Sequence, residues 1–270
     1  MTTSPTIETS SLAAALSMDL DGDIAHATIS EDHDVFGIPH GGYVAALFGR
    51  AFLMAADAPD LFTITVHYLN KAVPGPLDIT LTRAGGSRRF ASWHATASQD
   101  ERPVATAIAS VGDRTGMDGP TWTDREVWAV EDATLSPPAG HPDLPFTAPQ
   151  VAAQFGLRLD VATAGFAMGQ RGDHAVLRGQ LATHDVDQLT ALVACDVTPP
   201  AAWNVLGMEG WVPTIELTAH FRARPQPGPL TVEVATHHVQ DGWLDEDALV
   251  RDATGTLVVQ SRQLARWTST

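Results

Sequence analysis

Apolar and polar positions along the chain change period in a fixed order, and that order occurs twice. From Ile24 to Glu31 the residues alternate with a period of two, as in a half-buried strand. A loop punctuated by glycine and proline follows, HDVFGIPHGG. From Gly42 to about Ala56 the period becomes helical: Val44, Leu47, Phe48 and Ala51 share one face, and Pro59 follows the end. Strands are then predicted at about 62–70, 76–84, 89–98 and 103–111, rich in β-branched and aromatic residues. The second half runs FGLRLD, a strand over 174–183, and a helix from about Asp187 to Val197. Strands near 214–223, 229–239, 244–252 and 255–266 complete it. Asp185 or Asp187 is the expected helix cap, and Pro199-Pro200 ends the helix.

The two halves are copies. TVHYLNKAVPGPLDITL (65–81) aligns without gaps on TAHFRARPQPGPLTVEV (218–234), an offset of 153. Thr65 meets Thr218, His67 meets His220, and both halves carry Pro-Gly-Pro-Leu. The same offset is expected to carry on and place 103–110 over 256–263. One long helix followed by a run of antiparallel strands predicts an α+β module, a curved sheet wrapped round its own helix. The expected organisation is an N-terminal module over 12–112, a linker over 113–150 and a C-terminal module over 151–270. The linker is rich in proline and glycine, with a short strand expected around Val127–Trp128. It is longer than continuity requires, and is expected to lie on the surface and cover part of a site.

Composition narrows the partners. The chain of 270 residues is 44% hydrophobic and 18% charged, as a folded globule is. A net charge of -16 repels nucleic acid and anionic membrane, while leaving room for a local cationic patch that takes an anionic small molecule. The single cysteine, Cys195, excludes an intrachain disulfide framework and a cysteine-based metal site. The first residues contain no basic residue and no apolar run, and GGYVAALFGRAFLMAA is too short to span a bilayer, so the expected location is the cytoplasm.

The motifs HGGY (40–43), TVHYLNKAVPGPL (65–77), PTIELTAHFRARPQPGPL (213–230) and GTLVVQSRQLA (255–265) resemble those of double-hotdog acyl-CoA thioesterases of the acyl-CoA thioesterase II type. The resemblance covers roughly 15–112 and 150–267. It implies two hotdog modules joined edge to edge, with an acyl chain entering between their helices. It also implies an acyl-CoA substrate, no cofactor or metal, a role in fatty acid metabolism, and assembly into dimers or larger oligomers. The family's water-activating set of aspartate, threonine and glutamine falls on Asp196, Thr214 and Gln263.

Read on their own, these residues leave alternatives open. Asp196 lies in LVACDV, where a carboxylate is either paired and functional or turned to solvent at a helix end. A desolvated carboxylate there could serve as a general base. Thr214 either simply builds its strand or offers a hydroxyl to a bound water. Gln263 shares a strand face with Val259 and Ser261, as a satisfied buried amide or a water-holder. His40-Gly41-Gly42 precedes a helix, where bare backbone N–H groups suit an oxyanion or simply a tight turn. His67 and His220 read as symmetric packing residues. Arg88 and Arg89, with Arg83, Arg222 and Arg224, are candidates for the phosphates of the carrier. Trp93, Trp203, Trp211 and Trp243 are either tunnel or core aromatics.

The halves also differ. Many single-hotdog thioesterases carry an acid nine residues after the histidine of this motif, and Gly49 stands there here. Sliding one helix onto the other puts Gly49 over Asp196 and His40 over Asp187, which predicts one composite site. Thioester hydrolysis is the leading expectation. A hotdog-type hydratase or dehydratase is the second, although His184 and Asp187 imitate its Asp/His pair only weakly. A non-catalytic acyl-thioester binder is the third. No G-x-S-x-G elbow or G-x-G-x-x-G loop supports a serine hydrolase or a dinucleotide enzyme.

Overall fold

The structure, a computed structural model, describes residues 11–87, 89–183, 186–208 and 210–268. The first half contains helix α1 (Leu12–Ala15), strands β1 (Met18–Asp21), β2 (Ile24–Ile29), β3 (Asp34–Val35) and β4 (Ile38–Pro39), then helix α2 (Gly41–Ala56). Strands β5 (Asp60–Tyr68), β6 (Gly75–Gly86), β7 (Phe90–Gln99) and β8 (Arg102–Gly112) close it. The second half has α3 (Gln150–Gln154), β9 (Leu157–Leu159), β10 (Val176–Leu181), α4 (Gln188–Ala194) and α5 (Trp203–Leu206). It ends with β11 (Thr214–Phe221), β12 (Leu230–Ala235), β13 (Val239–Gln240), β14 (Trp243–Arg251) and β15 (Leu257–Arg266).

Among the described residues, thirteen strands form one antiparallel sheet in the order β1-β2-β6-β7-β8-β5-β11-β15-β14-β12-β10-β9, with β13 on β14. Read outwards from the β5–β11 seam, the halves have the same strand order, so this is a tandem hotdog. At the seam Glu216 faces His67, Thr218 faces Thr65 and His220 faces Thr63. Thr65 and Thr218 are equivalents in the repeat, so a pseudo-twofold axis passes between them. Their hydroxyls hydrogen-bond at 2.9 Å. His67 and His220 lie exposed on the outer face.

The sheet curves because each strand has an apolar inner face to cover. On β6, Leu77, Ile79 and Leu81 are buried while Asp78, Thr80 and Thr82 are exposed. The inner faces close on α2, whose Tyr43, Leu47, Phe48 and Phe52 are fully buried. Burying each phenylalanine contributes about 2–3 kcal/mol. α2 ends at Asp57, in the left-handed conformation, before Pro59. α4 starts at Asp187, whose carboxylate accepts the Thr190 N–H at 2.7 Å in a capping box. Asp185, the other expected cap, lies outside the described residues.

Three expectations are corrected. The α4 helix ends at Ala194 rather than near Val197, because its chain turns away ahead of Pro199-Pro200. Asp196 therefore lies beyond the C-cap Cys195. The repeat offset of 153 holds through β14 but becomes 154 in β15: Tyr68 faces Ala105, whereas Phe221 faces Val259. The extra residue is taken up between β14 and β15, in a loop from Asp252 to Thr256 where β7 and β8 are joined by Asp100-Glu101 alone. The linker has no strand at Val127–Trp128. Instead its later part runs beside β9, with Ser136 N–H on Leu159 O at 2.8 Å and Ala139 N–H on Leu157 O at 2.7 Å.

Candidate active site

A cavity of about 770 Å³ opens where α2 begins and α4 ends. His40, Gly41, Val44 and Tyr68 of the first half border it, with Asp196, Trp203, Thr214 and Glu246 of the second. Leu144, Phe146 and Pro149 of the linker form another wall. The linker therefore covers part of the cavity.

Glycine at the start of α2 lets the two helices meet. A Cβ on Gly42 would stand 3.0 Å from Asp196 Cβ and 3.1 Å from Val193 O, and one on Gly41 would stand 2.8 Å from Asp196 Oδ2. The approach brings the Gly42 N–H to Asp196 Oδ2 at 2.7 Å. His40, the N-cap of α2, accepts the Tyr43 N–H on Nδ1 at 3.2 Å. Its proton is therefore on Nε2, which donates to the Asp196 carbonyl at 2.8 Å and lies 3.2 Å from Oδ2. The Tyr68 hydroxyl donates to Gly41 O at 2.8 Å and so orients the peptide whose N–H holds Asp196. Burial, with Asp196 and Glu216 nearby, holds the Tyr68 phenol well above its ordinary pKa, so it stays a donor.

The other two residues of the set join through the chain beside Asp196. The Thr214 hydroxyl donates to Gln263 Oε1 at 2.6 Å, and Gln263 Nε2 donates to Cys195 O at 3.4 Å. Gln263 is buried at 2% exposure on the inner face of β15. Thr214 lines the cavity; Gln263 stands behind it. Burial pushes the Cys195 thiol up to about 12, which leaves no thiolate nucleophile there.

The structure thus brings His40, Gly41, Gly42, Asp196, Thr214 and Gln263 into one constellation. Gly42 holds Asp196 and is not on the cavity wall, whereas the Gly41 N–H has no partner among the described residues and Gly41 lines the wall. Arg88 lies outside the described residues. Arg89 is exposed in the turn between β6 and β7, away from the cavity wall. Arg224 is paired with Asp60 at 2.7 Å, and Arg222 borders a separate depression with Arg114 and His220. Trp203 and Trp211 line the cavity; Trp93 and Trp243 do not.

Sequence reasoning missed Lys71, the only lysine in the chain and the only Lys or Arg among the described lining residues. Its rarity was a signal. It also missed Glu246, a carboxylate in β14 with no local motif. No helix among the described residues is long and apolar enough to cross a membrane.

Comparison with known proteins bears on the family and the fold. Residues 130–266 match the family model for the acyl-CoA thioesterase C-terminal domain, and residues 29–112 match that for the N-terminal domain. A candidate thioesterase II from Thermobifida fusca YX has a similar structure, with a TM-score of 0.84 at 23% identity over 97% of this chain and 99% of that one. An acyl-CoA thioesterase II, TesB2, from Mycobacterium marinum gives 0.73 at 14% identity over 96% and 99%. At those identities the likeness shows the fold. An uncharacterized protein of Mycobacterium tuberculosis (strain ATCC 25618 / H37Rv) is 43% identical over 79 residues, 29% of this chain. The match spans 27% of that relative's length.

Proposed function

Because the chain belongs to the acyl-CoA thioesterase family, a group of double-hotdog proteins, we propose that it hydrolyses an acyl-CoA thioester in the cavity between α2 and α4. The observation that carries this reading is the Asp196 carboxylate, drawn to the start of α2 by the Gly42 N–H while still lining the cavity.

The reaction needs a water, a base and a place for negative charge. Oδ2 of Asp196 is held by Gly42 and faces His40, so Oδ1, without a partner among the described residues, is left to accept a proton from water. The Thr214 hydroxyl spends its own proton on Gln263, so toward the cavity it acts as an acceptor for the water's other proton. A water donating to both presents a lone pair to the thioester carbonyl carbon. As the carbon–oxygen bond forms, the proton passes to Asp196 and negative charge grows on the carbonyl oxygen. The Gly41 N–H, at the positive end of α2, is placed to receive that charge. Collapse breaks the carbon–sulfur bond, and the departing thiolate takes from Asp196 the proton that came from water. Lys71, at the cavity border, is the cation we assign to the phosphates of the carrier.

The test is thiol release from a panel of acyl-CoA esters, acetyl to palmitoyl, by wild type and Asp196→Asn. Turnover of some member, lowered about a thousandfold in the variant, is the expected outcome. Binding without turnover across the panel moves the protein to the acyl-thioester binders.

A further inference from the structure

We propose, resting on the thioesterase reading above, that Glu246 determines specificity: its carboxyl hydrogen-bonds a hydroxyl group carried by the acyl chain. Glu246 is buried at 8% exposure and lines the same cavity as Asp196. Its cross-strand partner is Gln263, so both side chains leave the sheet on its inner face. One oxygen, Oε1, accepts the Ala201 N–H at 2.8 Å. The other, Oε2, has no partner among the described residues. The chain around Ala201 adds Pro200 and Trp203 to the cavity wall, and Val212 joins them. An alkyl chain against that wall would leave a carboxyl oxygen desolvated and unpaired.

The chemistry of the leaving group argues that this carboxyl recognises rather than reacts. A thiol titrates near ~8.5, so its thiolate leaves without help from a second acid, and Asp196 already returns the proton. Burial pushes the Glu246 carboxyl up to about 8, with the Asp196 charge adding to the rise against the Ala201 hydrogen bond. Near neutrality it is chiefly an acid that donates, and above pH 8 a carboxylate that accepts. A hydroxyl satisfies both forms. A ketone satisfies only the acid, an ammonium only the carboxylate, and a methylene neither.

The experiment compares octanoyl-CoA with its 2-, 3- and 8-hydroxy counterparts. kcat/KM is measured for wild type, Glu246→Gln and Glu246→Leu. Kd is measured by calorimetry with Asp196→Asn alone and combined with each Glu246 change. The expected result is that at least one hydroxy isomer is favoured about tenfold or more over octanoyl, in both quantities. That ratio falls to about one in the leucine variant and stays above one in the glutamine variant, whose amide still donates and accepts. Glu246→Ala replaces the leucine variant if thermal melting shows that the latter is unfolded. No preference for any isomer, or a preference that survives removal of the carboxyl, overturns the proposal. If no ester is turned over, the hydrolase reading falls, and the Kd ratio alone decides the role of Glu246.

Discussion

Asp196 and Gly49 occupy equivalent places in the two helix contacts of this molecule, as do Gly42 and Leu189. The caps His40 and Asp187 are equivalent, so the pseudo-twofold image of the contact between Gly42 and Asp196 is the contact between Leu189 and Gly49. A Cβ on Gly49 would stand 2.8 Å from Leu189 Cδ2. The comparison extends to every member of the constellation. Thr214 maps onto Leu61, Gln263 onto Ala109 and Glu246 onto Trp93, and Trp93 faces Ala109 as Glu246 faces Gln263. Where the second site would lie, the chain has built packed core: Leu61 is fully buried and Ala109 nearly so. A duplicated fold supplies two equivalent junctions, and apolar substitution closed one of them. Beside the closed junction lies buried Asp60, which accepts from Arg224 at 2.7 Å, from the Arg114 N–H at 2.8 Å and from Gln188 at 2.9 Å. Burial alone would raise its pKa; these partners together hold it below the ordinary carboxylate range.

If the closed junction is structural, breaking it should cost stability more than chemistry. Asp60→Ala strands the Gln188 amide and the Arg114 N–H, and is expected to destabilise the fold by about 3 kcal/mol, read by urea denaturation. Unchanged stability would show that the Asp60 network is dispensable.

The two halves should also respond to pH with opposite sign. His33, stacked on Tyr43 with its Nδ1 unpaired, is pushed by burial down to about 4 from 6.5, helped by neighbouring His40. Its unfolded form takes up a proton first, so stability is full above 6.5 and falls as pH drops toward 4. That window is worth on the order of 3 kcal/mol. Glu246 binds its proton more tightly when folded, so its contribution falls as pH rises from 4.5 to about 8. Thermal melting across pH should show a shallower acid limb in His33→Gln and a shallower alkaline limb in Glu246→Gln. An identical profile in both variants would contradict the assignment.

The glycines give a smaller and more direct contrast. Gly42→Ala forces the end of α4 away from the start of α2, and is expected to lower kcat/KM about thirtyfold, or about 2 kcal/mol. Gly49→Ala meets the side-chain tips of Leu189 at 2.8 Å and Leu61 at 3.1 Å, and should act on stability rather than turnover. Smallest of all, Thr214→Val keeps the strand but removes one acceptor for water, with an expected tenfold loss in kcat or about 1.4 kcal/mol. A loss confined to KM would place Thr214 in binding instead.

Much of the fold was legible because periodicity is local and was stated twice. The α2 helix, the closing strands and the equivalence of Thr65 with Thr218 all follow from side-chain spacing. The shift to 154 in β15 was not legible, because the alternation of VVQSRQLA suits either register and only the β14–β15 hairpin chooses. With that shift Gln263 aligns with inward Ala109 instead of Ser110. Residue types for the candidate site could be named from motif resemblance. The cationic candidates could not be ranked, because proximity of arginines in sequence says nothing about which end of a sheet faces a cavity. Arg224 was used in an ion pair, and Lys71 reached the wall instead.

Composition, alternation and the repeat are properties of neighbouring residues, so they were decided along the chain: two modules, their helices and strands, and a linker too long to be idle. Distances between halves were not. The Gly42 N–H meets Asp196 across 154 residues, and Ala201, in the turn before α5, meets Glu246 of β14 across 45 residues that no motif connects. Those contacts exist only once two helices pack closely enough for glycine to matter, and once one of the two junctions is filled with leucine. Desolvation follows from the same packing, which is why an unremarked glutamate in an acidic strand became a candidate for reading the substrate.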